Sequence, residues 1–109
     1  MRLQHMYEAG LAAMSFVQGV SRSDFDSDQM RAFAVVRALE IIGEAANHLS
    51  PQFRKKHSEI SWAVFVRFRN ILAHEYGDSL INRVWLASTE SAPELLKALD
   101  KLLVEKPEE

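Results

Sequence analysis

Apolar residues recur at every third or fourth position through most of the chain, and nowhere do they alternate as a half-buried strand requires. Three prolines, Pro51, Pro93 and Pro107, and four scattered glycines leave long intervals in which a helix can run unbroken. Together these features restrict the chain to helices packed on helices.

The periodicity predicts a first helix from about Leu3 to Val20, with Leu3, Tyr7, Leu11, Met14 and Val17 along one side. The segment "SRSDFDSD" breaks it and supplies N-cap residues. A second helix is expected from about Asp28 to Leu49, ended by Pro51 because a residue before proline is pushed out of helical geometry. "PQFRKK" suits a short turn of helix. A third helix begins near Ser61 and runs towards His74, after which Gly77 and Asp78 make a turn. A fourth spans about Ser79 to Val104, with Pro93 either kinking it or opening a second piece. The expectation is one all-α domain over residues 1–109, an antiparallel bundle of four or five helices with a mobile acidic tail at 105–109.

A chain of 109 residues with 48% hydrophobic content can bury a core without help from cross-links. It has no cysteine, which excludes disulfides and thiolate metal sites and suits a reducing cytoplasm. No apolar run approaches the roughly 20 residues of a membrane span, and "MRLQHMYEAG" is too polar for the centre of a signal peptide. A soluble cytoplasmic protein is expected. The net charge of −2 gives no reason to expect nucleic acid, but from Pro51 to Asn70 the formal charge is about +4, through Arg54, Lys55, Lys56, Arg67 and Arg69 against Glu59. That zone is either a solvated surface or a track for a phosphate backbone.

On the second helix Arg37, Glu40, Glu44 and Asn47 fall in one narrow sector, with Phe33, Ala34, Ala38, Ala45 and Leu49 expected opposite. Such a stripe is either an ion-pair ladder facing solvent or one wall of a polar cleft that orients a cation.

The stretch "RFRNILAHEYGDSL" carries the most chemistry. On an ideal helix from Trp62, the residues Trp62, Phe65, Val66, Leu72 and Ala73 share an apolar face, and Arg69 falls in its middle. A charge there is costly unless it is paired, lines a cavity, or snorkels to the helix edge. His74 follows five residues later, about 140° round a continuous helix, so the two side chains cannot meet on one unbroken turn. Tyr76 returns to the arginine's side. A shared site therefore needs an unwound end near His74 or a second copy of the chain, and a two-fold dimer satisfies the geometry more simply. Arginine suits phosphate oxygens, and histidine exchanges protons near neutral pH. RNA brings its own nucleophile, the 2′-hydroxyl, so such a pair could cut it without metal. His5, His48 and His57 have no metal-ligand spacing and read as surface or packing residues.

"ALEIIGEAANHLS", "FRKKHSEISW", "RNILAHEY" and Val84–Trp85, in that order and spacing, resemble the HepT family of HEPN-domain proteins. The resemblance runs from about Arg31 to Trp85, with a compatible helix on either side. It implies a dimeric HEPN bundle and a toxin-type, metal-independent ribonuclease with no cofactor, whose signature R-x-x-x-x-H-x-Y matches Arg69, Asn70, His74 and Tyr76. It also implies a partner, a small MNT-type nucleotidyltransferase antitoxin that uses ATP to place AMP on the tyrosine, here Tyr76. The turn "GDSL" and Glu75 depart from the commoner family text, which has an aromatic residue and glycine at these places.

These expectations combine as an RNA-cutting toxin in which His74 transfers the proton and Arg69 stabilises the phosphate. Asn70 positions, Glu44 supports Arg69, and Arg67 with Arg54, Lys55 and Lys56 guides the RNA backbone. The alternatives are a non-catalytic HEPN module that binds a nucleotide or protein in support of a nucleotidyltransferase, and a purely structural helical dimer.

Overall fold

The computed structural model describes residues 2–69 and 78–105. Asn70, His74, Tyr76, the turn at Gly77 and the tail beyond Glu105 lie outside the described residues. Within them every regular element is helical: α1 (Arg2–Val17), α2 (Arg22–Asp26), α3 (Gln29–Asn47), α4 (Pro51–Lys56), α5 (Trp62–Val66), α6 (Asp78–Leu86), a π-helical segment (Ala87–Ser91) and α7 (Ala92–Glu105). None of the described helices is long and apolar enough to cross a membrane.

Side-chain caps set the starts of three helices. The Ser21 hydroxyl accepts from the Asp24 N–H, the Asp28 carboxylate from the Arg31 N–H and the Ser50 hydroxyl from the Phe53 N–H, each at 3.0 Å. Pro51 occupies the first turn of α4, where its missing N–H costs nothing. The first helix stops at Val17, three residues short of the expected end. There Gly19 takes a φ of +73° and the Val20 N–H turns back to the Val17 carbonyl. The segment expected to be only a break instead forms α2. Its one apolar residue, Phe25, is wholly buried and meets Trp85 with ring centroids 5.1 Å apart.

The long α3 is the central element. Val35, Leu39 and Ile42 on it are fully buried, joined by Met6 and Ala13 of α1, Val84 of α6 and Leu99 of α7. Arg31 ties the start of α3 to the end of α1, donating from its guanidinium to the Phe16 carbonyl at 2.6 Å and to Asp28 at 3.1 Å. The last helix behaves differently from either expectation for Pro93. The chain does not break; it widens to a π turn just before the proline, and the Ala92 N–H reaches back to the Ala87 carbonyl. Ser88 and Thr89 hydroxyls both donate to the Trp85 carbonyl, at 3.0 and 2.8 Å, so the wide turn keeps its polar groups satisfied.

The cap of α3 makes stability respond to acid. The Arg31 backbone N–H, helped by its guanidinium, holds the Asp28 carboxyl below the usual carboxylate range, against an opposing effect of burial. A carboxyl depressed in the folded state stabilises it above the unfolded pKa and loses that contribution as pH falls through the folded value. Asp28→Asn caps without a charge, so its melting temperature should lie below the wild type at neutral pH and converge with it in acid. Parallel melts across that pH range check this.

Candidate active site

Glu44 sits near the C-terminal end of α3, and Arg69 lies in the turn that follows α5. What brings them together is Gly43. A Cβ at that position would run into the Phe65 carbonyl oxygen and come within 3.3 Å of the Arg69 Cγ, so only glycine lets α5 approach α3 this closely. The Arg69 Nε then donates to Glu44 Oε2 at 3.2 Å.

Arg69 does not occupy the middle of an apolar face. The α5 helix ends at Val66; the Arg67 N–H still reaches four residues back to Ala63, but the next two bond three back, Phe68 to the Phe65 carbonyl at 2.9 Å and Arg69 to Val66 at 3.1 Å. Three residues per turn place Phe68 beneath Phe65 and Arg69 beneath the partly buried Val66. Phe68 therefore fills the core at 2% exposure, while the Arg69 side chain rests at the rim at 36%. Its stem passes Gly43 and its guanidinium meets the Glu44 carboxylate. An ion pair this exposed adds at most about 1 kcal/mol to stability. Glu44 thus aims the guanidinium without holding it fast, and a phosphate can compete for it.

The rest of the stripe is accounted for residue by residue. Arg37 stands 3.7 Å from Glu40 across one turn, and Glu44 also faces His48 at 3.8 Å. Phe33 is not opposite these charges. It precedes Arg37 by four residues, about 40° on a helix, and is 51% exposed on the same face as Met30 and Ile41. The outer face of α3 is therefore a mixed strip of apolar and charged side chains.

The expected basic track divides. Arg67 is exposed beside Arg69, and Lys55 and Lys56 are exposed on α4. Arg54 is half-buried, and its Nε is enclosed without a hydrogen-bond partner. Its carbonyl and that of His57 share the Trp62 indole N–H, each at 3.0 Å, which fastens α4 to the start of α5. Phe53 completes this joint, its ring centroid 4.6 Å from that of His57 and 6.3 Å from that of Trp62.

Two residues gain importance that the sequence reading had not given them. Gly43 interrupts a strong helix where alanine would be favoured by about 1 kcal/mol, which is itself a sign of close backbone approach. His48 follows Glu44 by four residues, the spacing of helix neighbours, and its Nδ1 lies 2.8 Å from the Glu44 carbonyl oxygen.

A half-exposed arginine aimed by a carboxylate, next to a histidine-bearing segment, suits chemistry on phosphate esters. Comparison with known proteins agrees. Residues 6–102 match the family model described as "Ribonuclease HepT-like". A protein named as an RNase from Caldanaerobacter subterraneus subsp. tengcongensis is 36% identical over 93% of this chain and 90% of its own. A protein named as ribonuclease HepT from Thermococcus cleftensis is 35% identical over 92% and 91%. One named as an RNase from Methanocaldococcus jannaschii is 32% identical over 90% of each. No solved structure gives a significant match. The resemblance in the motifs thus extends over nearly the whole chain, and the protein belongs to the ribonuclease HepT-like family.

Proposed function

We propose that this ribonuclease is the toxin of a toxin–antitoxin pair and cuts RNA without metal, using Arg69 and His74 at the interface of a homodimer. The 2′-hydroxyl attacks the adjacent phosphorus while His74 takes its proton. Arg69 neutralises the charge gathering on the phosphoryl oxygens, and Asn70 positions the phosphate. The 5′-oxygen leaves with a proton from the acid form of a histidine, giving a 2′,3′-cyclic phosphate and a free 5′-hydroxyl. Two copies of His74 across a two-fold axis supply both base and acid. Arg67, Arg54, Lys55 and Lys56 lead the RNA backbone toward this centre.

The observation that carries the reading is the Glu44–Arg69 pair at a half-exposed rim, in a chain of a ribonuclease family. The N-terminal part of this face of α3 supports the dimer: Met30 and Phe33 are 83% and 51% exposed on the helix that carries Glu44. A second copy of the same strip would cover them and bring two Arg69 side chains to one groove. The test is cleavage of RNA by purified protein in the presence of a chelator, compared with Arg69→Ala and His74→Ala. Failure of wild type to cut any RNA would point instead to a binding module.

A nucleotidyltransferase partner, using ATP, would silence the site by adenylylating Tyr76, because a phosphodiester there occupies the place that RNA needs. Co-expression should add the mass of one adenylyl group to the Tyr76 peptide, and Tyr76→Phe should escape both the mass and the silencing. Silencing with Tyr76 unmodified would reject this control.

A further inference from the structure

The cavity beside Glu44 is not used by the cleavage step. It has a volume of about 310 Å³ and is lined by His5 of α1 and by Arg37, Ile41, Glu44, Ala45 and His48 of α3. Ile41 and Ala45 make its lining partly apolar, and the rest is two imidazoles, a guanidinium and the Glu44 carboxylate. The charges around it are already paired: Arg37 with Glu40, and Glu44 with Arg69. A pocket with its charges neutralised and a carboxylate in its wall repels a phosphate. A flat, neutral ring with polar edges fits it better.

We propose that this cavity holds an unpaired RNA base next to the scissile phosphate, and that His48 selects bases bearing an amino group beside a ring acceptor on the Watson–Crick edge, adenine or cytosine. The selection follows from the tautomer. The Glu44 carbonyl oxygen, 2.8 Å from His48 Nδ1, can only accept, so Nδ1 carries the proton and Nε2 of the neutral ring carries the lone pair. That lone pair accepts from N6 of adenine or N4 of cytosine. Arg37 N–H groups donate to the neighbouring ring nitrogen. Uracil presents the reverse order, a carbonyl where the amino group should be, and leaves both partners unmatched. Stacking on the His5 imidazole supplies affinity without regard to sequence, and the Nε2 contact supplies preference. Glu44 joins the two places, since the carboxylate that aims Arg69 also lines the base pocket. The proposal rests on RNA being the substrate, but its test does not require cleavage.

Short 2′-O-methyl oligonucleotides of A, C or U lack the nucleophile and stay intact whatever the catalytic residues do. Wild-type protein should bind the A and C oligomers about tenfold more tightly than U by fluorescence anisotropy. His48→Ala should lose that preference together with about tenfold of the affinity for A and C. His48→Phe, which fills the same space but cannot accept, should lose the preference. Melting curves establish that each variant is folded. Equal binding of all three oligomers by wild type, or an unchanged preference in His48→Ala, overturns the proposal. If the preference follows His48 while natural RNA is never cut, the base pocket stands and the nuclease mechanism falls. If RNA is cut with no base preference linked to His48, the nuclease stands and the pocket falls.

Discussion

Arg69→Ala and His74→Ala should each lower RNA cleavage by about a hundredfold or more while leaving the melting temperature nearly unchanged. The asymmetry between activity and stability comes from where Arg69 sits. Its side chain is 36% exposed and its only described ion pair is with a carboxylate that is itself half in water, so removing it opens no cavity and strands no buried charge. The loss should fall on the transition state, where the Arg69 guanidinium meets the charge gathering on the phosphate oxygens. Mixing the two inactive variants then tests the two-histidine site. A mixed dimer carries a single His74, so activity should stay lost after subunit exchange, and recovery would show that one His74 serves as both base and acid. Full activity in Arg69→Ala would remove the arginine from the mechanism altogether.

Gly43→Ala should be the most damaging single-methyl change near the site. Helix propensity alone favours the alanine by about 1 kcal/mol. The clash opposes it, because the new Cβ meets the Phe65 carbonyl oxygen, and a backbone atom cannot rotate away as a side chain can. Overpacking of this kind costs about 1–3 kcal/mol, and the clash is expected to win. A net loss of up to about 2 kcal/mol lowers the melting temperature by several degrees in a domain of this size. It also pushes α5 from α3 and parts Arg69 from Glu44, so cleavage should fall with stability. Gly10→Ala is the control. Its Cβ would meet only the end of the Leu96 side chain, which can turn aside, so its effect should be smaller. A Gly43→Ala protein that melts at or above the wild-type temperature would show that the close approach is not required.

The parts of the fold that were legible in the sequence are those set by local chemistry. The helix start at Asp28, the stop before Pro51 and the short turn of "PQFRKK" all rest on caps and proline geometry within a few residues. α2 was missed because a single buried phenylalanine anchors it, too few apolar positions to show a period. The placement of Arg69 was misjudged for a different reason. An ideal wheel assumes 100° per residue, and the chain tightens after Val66 as Phe68 is drawn into the core. Phe33 was a plain misplacement, since its spacing from Arg37 already put it on the charged face. The contact between Glu44 and Arg69, 25 residues apart, was suggested by charge alone; its geometry depends on how α5 lies on α3, which no local pattern encodes.

The wide turn before Pro93 has a consequence for how this helix could vary in length. Buried positions run through Leu80 and Val84 before it, Ala87 at its start, and Leu95, Leu99 and Leu102 after it. The turn holds one residue more than an α-helical turn would, and one residue corresponds to about 100° of rotation. That surplus keeps the two apolar stripes in phase, so α6 and α7 turn the same side to the core. The segment from Ala87 to Ser91 is therefore the place in this helix where a single residue could be lost by relaxing to ordinary winding, with both stripes still facing inward.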